Sequence, residues 1–554
     1  MKVEATDLVL LLDTGSAWSK AVIVARHGRR WRIAGAVAQP ASWGEERLLA
    51  SLGARIAPHV DPRLSHGIVE RLAAAPRIET HTPRRPGRLA LVAVSRHLSA
   101  PVLRRAAESA GWVVVEEATI DDGRPLAERL AALAAAEVDA WLLGGGFEGS
   151  TSPQALEMAS LAAAARGAAT EPVIWAGASD LDDEIRRLFS ADGIASGRPA
   201  AALTVVPNPA PADGIERPAA LRAQLETLLE RIVEPRGSHH LAPVSYRRAI
   251  TELARSADLR ILGVDIGAGY ATWVVADAEG EIDARVFAEG GLVADALTDT
   301  GAAARIARDL PGAIDELIVA DVLQNLRARP ATVPQTDAEL AISQGAAQYQ
   351  LAGIAGEAAG VGVDLVIGSG RTIAGAPRLA DAARVLLDGL RPVGVTQLAV
   401  DVAGGLGPLG SLDDAEIGEG IALLRDDLVV PLGTSVVCRG GRTGQAAMRI
   451  SLSLEGAEPT EPVEVRTGQL TILPLARGRL ADITIELVGG ATLGSERQGR
   501  RARARVAGGA VGLILDARDA PLRLPRRPDD RQTVLGSWRD AWHREPRPAE
   551  AEAS

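Results

Sequence analysis

Three short segments carry residue types suited to holding a nucleotide phosphate. The first is Asp13-Thr14-Gly15-Ser16-Ala17-Trp18-Ser19-Lys20. An apolar run over 8–12 ends there on a carboxylate, a glycine turn and hydroxyl residues. Gly15 would let the backbone approach a phosphate, whose oxygens the turn N–H groups and the Ser16 and Ser19 hydroxyls would bind. Asp13 can hold Mg²⁺ through water, and Lys20 can neutralise a β- or γ-phosphate as a point charge. An ordinary hairpin turn has the same appearance, and a lone lysine at a strand start is commonly solvated. Lysine occurs only at Lys2 and Lys20, and the place of Lys20 inside the hydroxyl motif favours the functional role.

The second segment, Asp265-Ile266-Gly267-Ala268-Gly269, repeats the pattern of strand, Asp-x-Gly and returning strand about 250 residues later. Asp265 is a second candidate for the metal, and Gly267 and Gly269 for close approach of backbone to phosphate. In the third, an apolar run over 363–367 opens onto Gly368-Ser369-Gly370, small residues against which a purine could lie. Each is a weak signal alone. Their order along the chain makes a nucleotide site the better reading. No segment supplies a convincing catalytic base, so no catalytic residue is assigned.

The elements that must position these residues can be read from the apolar pattern. Strands are expected over 7–13, 21–25 and 31–37. Residues 88–206 alternate strand and helix, which implies parallel βαβ units. Residues 207–218 are rich in Pro and Ala and read as a linker, followed by a helix over 219–233. Strands are expected again at 260–265, 271–276 and 363–367, with helices over 336–356 and 379–390. From about 428 onward, period-two runs separated by Gly and Pro indicate an all-β module. The expected organisation is an N-terminal lobe over 1–258 with an inserted βαβ region at about 88–206. A second lobe over 259–427, a β-rich module over 428–525 and a tail over 526–554 follow.

Composition narrows the function classes. The chain has 554 residues, 47% apolar and 24% charged, which excludes wholesale disorder and suggests three or four domains. Aromatics are only 3%, so the core must be aliphatic. Sixty Lys+Arg against 71 Asp+Glu give a net charge of −11, unsuited to a dedicated nucleic-acid binder. The single cysteine, Cys438, excludes an intramolecular disulfide and points to a reducing compartment. The apolar run at 8–12 is too short for a signal peptide or a membrane span. A cytoplasmic protein without membrane contact is therefore expected. His239-His240 lack a third ligand and read as an exposed loop. Arg500, Arg501, Arg503 and Arg505 read as a solvated strand face, and Cys438 as an inert small residue.

Longer stretches carry a resemblance. Two Asp-x-Gly hairpins followed by a small-residue turn are similar to the actin, hexokinase and sugar-kinase superfamily of ATPases. More specifically, Asp13-x-Gly15-Ser16-x-x-Ser19-Lys20, the segments 325–336 and 364–412, and Gly508-Gly509 through Arg518 resemble the glutamate mutase accessory proteins of the MutL/GlmL type, unrelated to mismatch repair. The resemblance implies an α/β, two-lobed actin/hexokinase-like ATPase fold, here with a C-terminal all-β module. It also implies Mg-ATP or Mg-ADP as cofactor and a protein partner, of which a cobalamin-dependent mutase is one candidate. The sequence departs from the family at the second hairpin. Where the family has Asp-x-Gly-Gly-x-Thr-Thr-Asp, this chain has Tyr270, Ala271 and Thr272 after Gly269, losing two hydroxyls and a carboxylate. Polar positions are also altered at 80–87, 145–151 and 176–178. Three functions stay open: a chaperone-like accessory protein with weak or absent ATP hydrolysis, a small-molecule kinase on the same fold, and a catalytically dead scaffold.

Overall fold

Two antiparallel hairpins, each joined by a parallel strand, form the frame of the larger of two units. In this computed structural model the described residues are 8–27, 30–59, 67–83, 85–150, 152–167, 170–190, 202–233, 240–356, 362–454, 458–494, 500–519 and 522–543. Arg84, Thr151, His239 and the stretch 544–554, all weighed above, lie outside them. One unit comprises Met1–Thr82, Ser245–Ala284 and Gly290–Ser554, and the other Pro83–Val244 with Arg285–Glu289.

In the larger unit, strand Leu8–Thr14 pairs antiparallel with Trp18–His27 and parallel with Arg77–His81, and Arg30–Pro40 follows outside Trp18–His27. The helix Glu45–Ile56 covers one face of this sheet. Its Leu48, Leu49, Leu52 and Ile56 fall on a single stripe and pack on Leu10, Leu12 and Ile23. The second sheet repeats the beginning: Ile261–Ile266 pairs antiparallel with Tyr270–Asp277 and parallel with Leu365–Ser369, and Gly394–Val400 lies beyond. One core links the two sheets. Val9, Leu11, Val22 and Val24 of the first and Ile261, Val274, Ile367 and Ala399 of the second share it with Ile417, Ile421 and Leu424 of the helix Asp414–Leu428. The Arg32 guanidinium forks onto Asp427 at 2.6 Å through both nitrogens, fixing that helix to the first sheet. Helix Asp337–Ala355 starts with a capping box of Thr336 and Glu339, as its sequence pattern suggests. This duplicated sheet arrangement within one unit is of the α/β class expected from the sequence.

Beyond residue 428 the strands divide. Val430–Arg439 pairs with Gly394–Val400, Gly512–Asp516 with Val430–Arg439, and Leu470–Leu473 with Gly512–Asp516, so these extend the second sheet. Val463–Arg466, Ala446–Leu454, Leu480–Leu487 and Arg501–Ala507 form a separate four-stranded sheet. The Arg501, Arg503 and Arg505 side chains stand exposed on its last strand. Cys438 is buried, and that burial pushes its thiol up to about 12, keeping it unreactive. Residues 528–543, grouped with the tail in the sequence reading, form the helix Pro528–His543. Leu535, Trp538 and Trp542 are buried there, and the Trp538 indole donates to the Gly468 carbonyl at 2.8 Å.

The smaller unit is a parallel sheet in the order Trp112–Ala118, Gly87–Ala93, Ala140–Gly144, Val173–Trp175, Leu203–Val205. Each face carries its own core. Leu89, Leu91 and Trp112 pack with Leu103, Leu225 and Leu229 on one side. Val92, Trp141 and Trp175 pack with Met158, Ile185 and Phe189 on the other. Strands buried on both faces explain their continuous apolar runs.

Candidate functional site

Both hairpins of the larger unit turn in the same way. The Gly15 N–H donates to the Trp18 carbonyl, and the Gly267 N–H to the Tyr270 carbonyl, each at 2.9 Å. A β-carbon on Gly15 would sit 2.5 Å from that Trp18 oxygen, so only glycine fits. The two turns face one another: a β-carbon on Gly269 would lie 3.6 Å from the Ser16 hydroxyl. Asp13 and Asp265 therefore stand at the ends of strands that converge on one site.

Register decides what stands opposite each carboxylate. Asp13 is the cross-strand neighbour of Lys20, and Asp265 of Thr272. The Lys20 ammonium reaches Asp13 Oδ2 at 3.1 Å, while the Thr80 hydroxyl donates to Asp13 Oδ1 at 3.3 Å. Burial alone would lower the Lys20 pKa, but the charges of Asp13, Asp265 and Asp401 reverse this and hold it well above the ordinary lysine value. Lys20 is therefore a fixed cation among three carboxylates.

Asp265 is the group in an unfavourable position. Burial pushes its carboxyl up to about 6, against the opposing pull of Lys20. Asp13 and Asp401 raise it further, and a hydrogen bond from Ser369, its parallel-strand neighbour, lowers it. Its Oδ1 is buried and has no hydrogen-bond partner among the described residues. A cation brought to this oxygen would satisfy it, and the donor set of carboxylates and hydroxyls suits a hard ion such as Mg²⁺. Among the described residues no group of three or more His, Cys, Asp or Glu could by itself hold a metal. An ion at this place would need ligands from water and phosphate as well.

Asp401 is absent from the sequence reading of the site. It follows the strand Gly394–Val400 and accepts the N–H groups of Gly404, Gly405 and Leu406 at 2.8, 3.1 and 3.1 Å. The loop so formed carries Gly404, where a β-carbon would stand 2.6 Å from Lys20 Cδ. Asp401 thus shapes the floor along which the Lys20 stem lies. The signal was present as a third apolar run closing on an aspartate before a glycine pair, Asp401-Val402-Ala403-Gly404-Gly405.

The turn Gly368-Ser369-Gly370 adjoins the second hairpin. Gly370 has φ +88° and a β-carbon there would be 2.0 Å from the Ile266 carbonyl oxygen. Gly368 is less constrained: a β-carbon there would meet only the Leu386 and Ile373 side chains, at 2.8 and 2.9 Å. Backbone packing inside the larger unit thus requires glycine at 370. Arg371 follows, and its guanidinium lies 4.7 Å from the centroid of the Trp18 ring, linking this turn to the first hairpin. The Tyr246 hydroxyl, 3.2 Å from the carbonyls of both Val264 and Ile367, ties together the two strands that carry Asp265 and Ser369. Tyr270, Ala271 and Thr272 are all buried.

No helix among the described residues is long and apolar enough to cross a membrane. No curated protein matches the sequence. Among solved structures, component A of the (R)-2-hydroxyglutaryl-CoA dehydratase of Acidaminococcus fermentans is similar at 10% identity. That match covers 73% of this chain and 96% of the other, with a TM-score of 0.23. The activator of the 2-hydroxyisocaproyl-CoA dehydratase of Clostridium difficile, solved with bound ADPNP, is similar at 12% identity over 75% and 97% of the two chains, with a TM-score of 0.27. An acetone carboxylase in nucleotide-free form gives 11% identity, 83% and 81% coverage and a TM-score of 0.31. The family model described as MutL protein matches residues 9–428 of the 554. The chain belongs to the MutL protein family.

Proposed function

We propose that the larger unit binds Mg-ATP or Mg-ADP and that the protein is a cytoplasmic, chaperone-like accessory protein whose nucleotide state is read by a protein partner. The observation that carries this is the pair of opposed turns, Ser16 against Gly269, with Lys20 fixed among Asp13, Asp265 and Asp401. In this reading the Ser16 and Ser19 hydroxyls bind phosphate oxygens from one side; Gly15 and, from the other side, Gly267 and Gly269 let the backbone approach closely, the Gly15 and Gly267 N–H groups being held within their own turns. Lys20 supplies the compensating charge. Asp13 and Asp265 hold the metal through water, and Mg²⁺ when bound neutralises charge between phosphate oxygens. Gly368, Ser369 and Gly370 lie beside the adenosine. A cobalamin-dependent mutase is the partner that family membership favours.

Hydrolysis in this reading is slow or absent. Turnover needs a group to orient water and donors for the γ-phosphoryl charge. The second hairpin offers only the buried Thr272 opposite Asp265. Calorimetric titration of the full chain with Mg-ADP and Mg-ATP, followed by a phosphate-release assay, tests both parts. The expected outcome is saturable binding with little release. Rapid unassisted release would overturn the second part, and absence of binding the first.

A further inference from the structure

The smaller unit contains a cavity that the nucleotide reading does not use. Its sheet places the first strand, Gly87–Ala93, between the second and the third, Ala140–Gly144, so the connections leave in opposite directions at that pair. In open parallel sheets this reversal opens a crevice beyond the carboxyl ends of the strands, where ligands bind. A cavity of about 470 Å³ lies there, lined by residues following strands one, three and four: Ser95, Gly146 and Ala176. That volume is in the range of small-molecule sites.

The 207–218 segment, expected as a linker, folds back as the outer wall. Asn208 is buried; its amide donates to the Gly146 carbonyl at 2.9 Å and its Oδ1 accepts the Ala210 N–H at 3.0 Å. The Glu148 N–H donates to the Pro211 carbonyl at 2.9 Å. Four large apolar side chains of this unit are exposed among the described residues, and three of them, Leu98, Phe147 and Ile215, line this one cavity. A solvated loop gains nothing from such clustering, whereas a ligand with an apolar ring does.

The loops at this edge define which ligand is excluded. In many such folds the loop after the first strand binds phosphate through free N–H groups. Here Asp121 takes that role: it accepts the Arg96 N–H at 2.7 Å and the Ser95 hydroxyl at 3.0 Å. The Ser95 N–H goes to the Ser99 hydroxyl and the Gly149 N–H to Asp180. Arg105 is committed to Glu216 at 2.5 Å. Of the charged groups that line the cavity, Arg105 is paired with Glu216 and Asp213 adds a further carboxylate, so an entering anion would have to displace Glu216 from its arginine.

We propose that this cavity is a second, separate binding site for an uncharged, ring-containing small molecule. Its polar hydrogens would meet the Ser95 and Ser150 hydroxyl oxygens, whose own protons go to Asp121 and the Phe147 carbonyl, Ser152 would supply a further hydroxyl, and its ring would meet the Leu98, Phe147 and Ile215 face. Two neutral probes, riboflavin and thymidine, are titrated into the full chain in saturating Mg-ADP, which occupies the proposed site of the larger unit, beside their 5′-phosphates, FMN and TMP, by calorimetry and saturation-transfer NMR. At least one neutral probe should bind below about 1 mM, with its phosphate about tenfold weaker, because a buried anion lacks compensation here. Ala212→Trp, which adds a large ring to the lining, should weaken the neutral probe about tenfold or more, and the milder Ile215→Ser, at an exposed position, about threefold. No binding of thymidine at about 5 mM and of riboflavin up to its solubility limit, tighter binding of the phosphates, or affinities unchanged in both variants would overturn the proposal. All these residues lie in the smaller unit, so failure here leaves the Mg-nucleotide titration of the larger one unaffected.

Discussion

The two hairpins of the larger unit share a turn, a register and a terminal carboxylate, yet differ in what stands opposite that carboxylate. Asp13 faces Lys20, and Asp265 faces Thr272. The first carboxylate has a cation at 3.1 Å and a hydroxyl donor on its other oxygen. The second has a buried oxygen without a partner, and its carboxyl is pushed up to about 6. Asp13 is hydrogen-bonded on both oxygens, while Asp265 keeps one oxygen open and shares the charge of Lys20 across the site. Burying a carboxylate oxygen without a hydrogen-bond partner costs stability, a cost that the proposed metal would offset. The difference is what the proposed Mg-nucleotide site would require.

The largest expected effect comes from restoring to the second hairpin a hydroxyl and the carboxylate of the family pattern. Ala271→Thr with Thr272→Asp should raise ATP turnover about 10²–10³-fold, the worth of one well-placed transition-state group. A phosphate-release assay checks it, and an unchanged rate would show that turnover is limited elsewhere. Removing the cation from the first hairpin comes next. Lys20→Ala leaves Asp13, Asp265 and Asp401 without their shared counter-charge. It should destabilise the chain by about 3 kcal/mol in a denaturant titration and abolish measurable nucleotide binding.

The Asp265 asymmetry also has a pH signature. With its folded pKa near 6, above the unfolded value, the native state binds more protons between about pH 4 and 6. Stability should therefore fall as pH rises through that window, by about 2–3 kcal/mol in total. Asp265→Asn should flatten this part of the profile and be more stable than the natural chain at pH 7.5, while losing Mg-nucleotide affinity. Calorimetric Tm against pH reads the first effect, and a variant no more stable than wild type would show that Asp265 is already compensated. The smallest effect concerns the link between the first hairpin and the Gly368–Gly370 turn. Trp18→Leu removes the ring beneath Arg371 and should cost about 0.5–1 kcal/mol.

Much of this arrangement was legible because it is local. Asp13-x-Gly15 and Asp265-x-Gly267 each announce a strand, a carboxylate and a turn within a few residues, and the helix over 379–390 has the bounds its sequence suggests. What could not be read depends on which distant strands pair. Asp401 joins the site only because Gly394–Val400 lies parallel to Leu365–Ser369, and its role as acceptor for Gly404 to Leu406 is invisible in a linear pattern. The same holds beyond residue 428. Val430–Arg439 and Gly512–Asp516 read locally as members of a β-rich module, yet their parallel pairing carries the second sheet onward. Residues 207–218 have the composition of a linker, but the buried Asn208 amide holds the segment against Gly146. The 528–543 helix contributes two buried tryptophans to a chain with few aromatics, a packing that polar neighbours such as Asp529, Asp530 and Arg531 disguise.

The central claim is that the two opposed turns with Lys20 between them are a nucleotide site. Isothermal titration of the full chain with Mg-ADP tests it, with Lys20→Ala and Asp265→Ala measured alongside. The account predicts one site with a dissociation constant below about 1 mM, weakened at least about tenfold in both variants. No heat of binding at millimolar Mg-ADP, or binding that both variants retain at full strength, would contradict it.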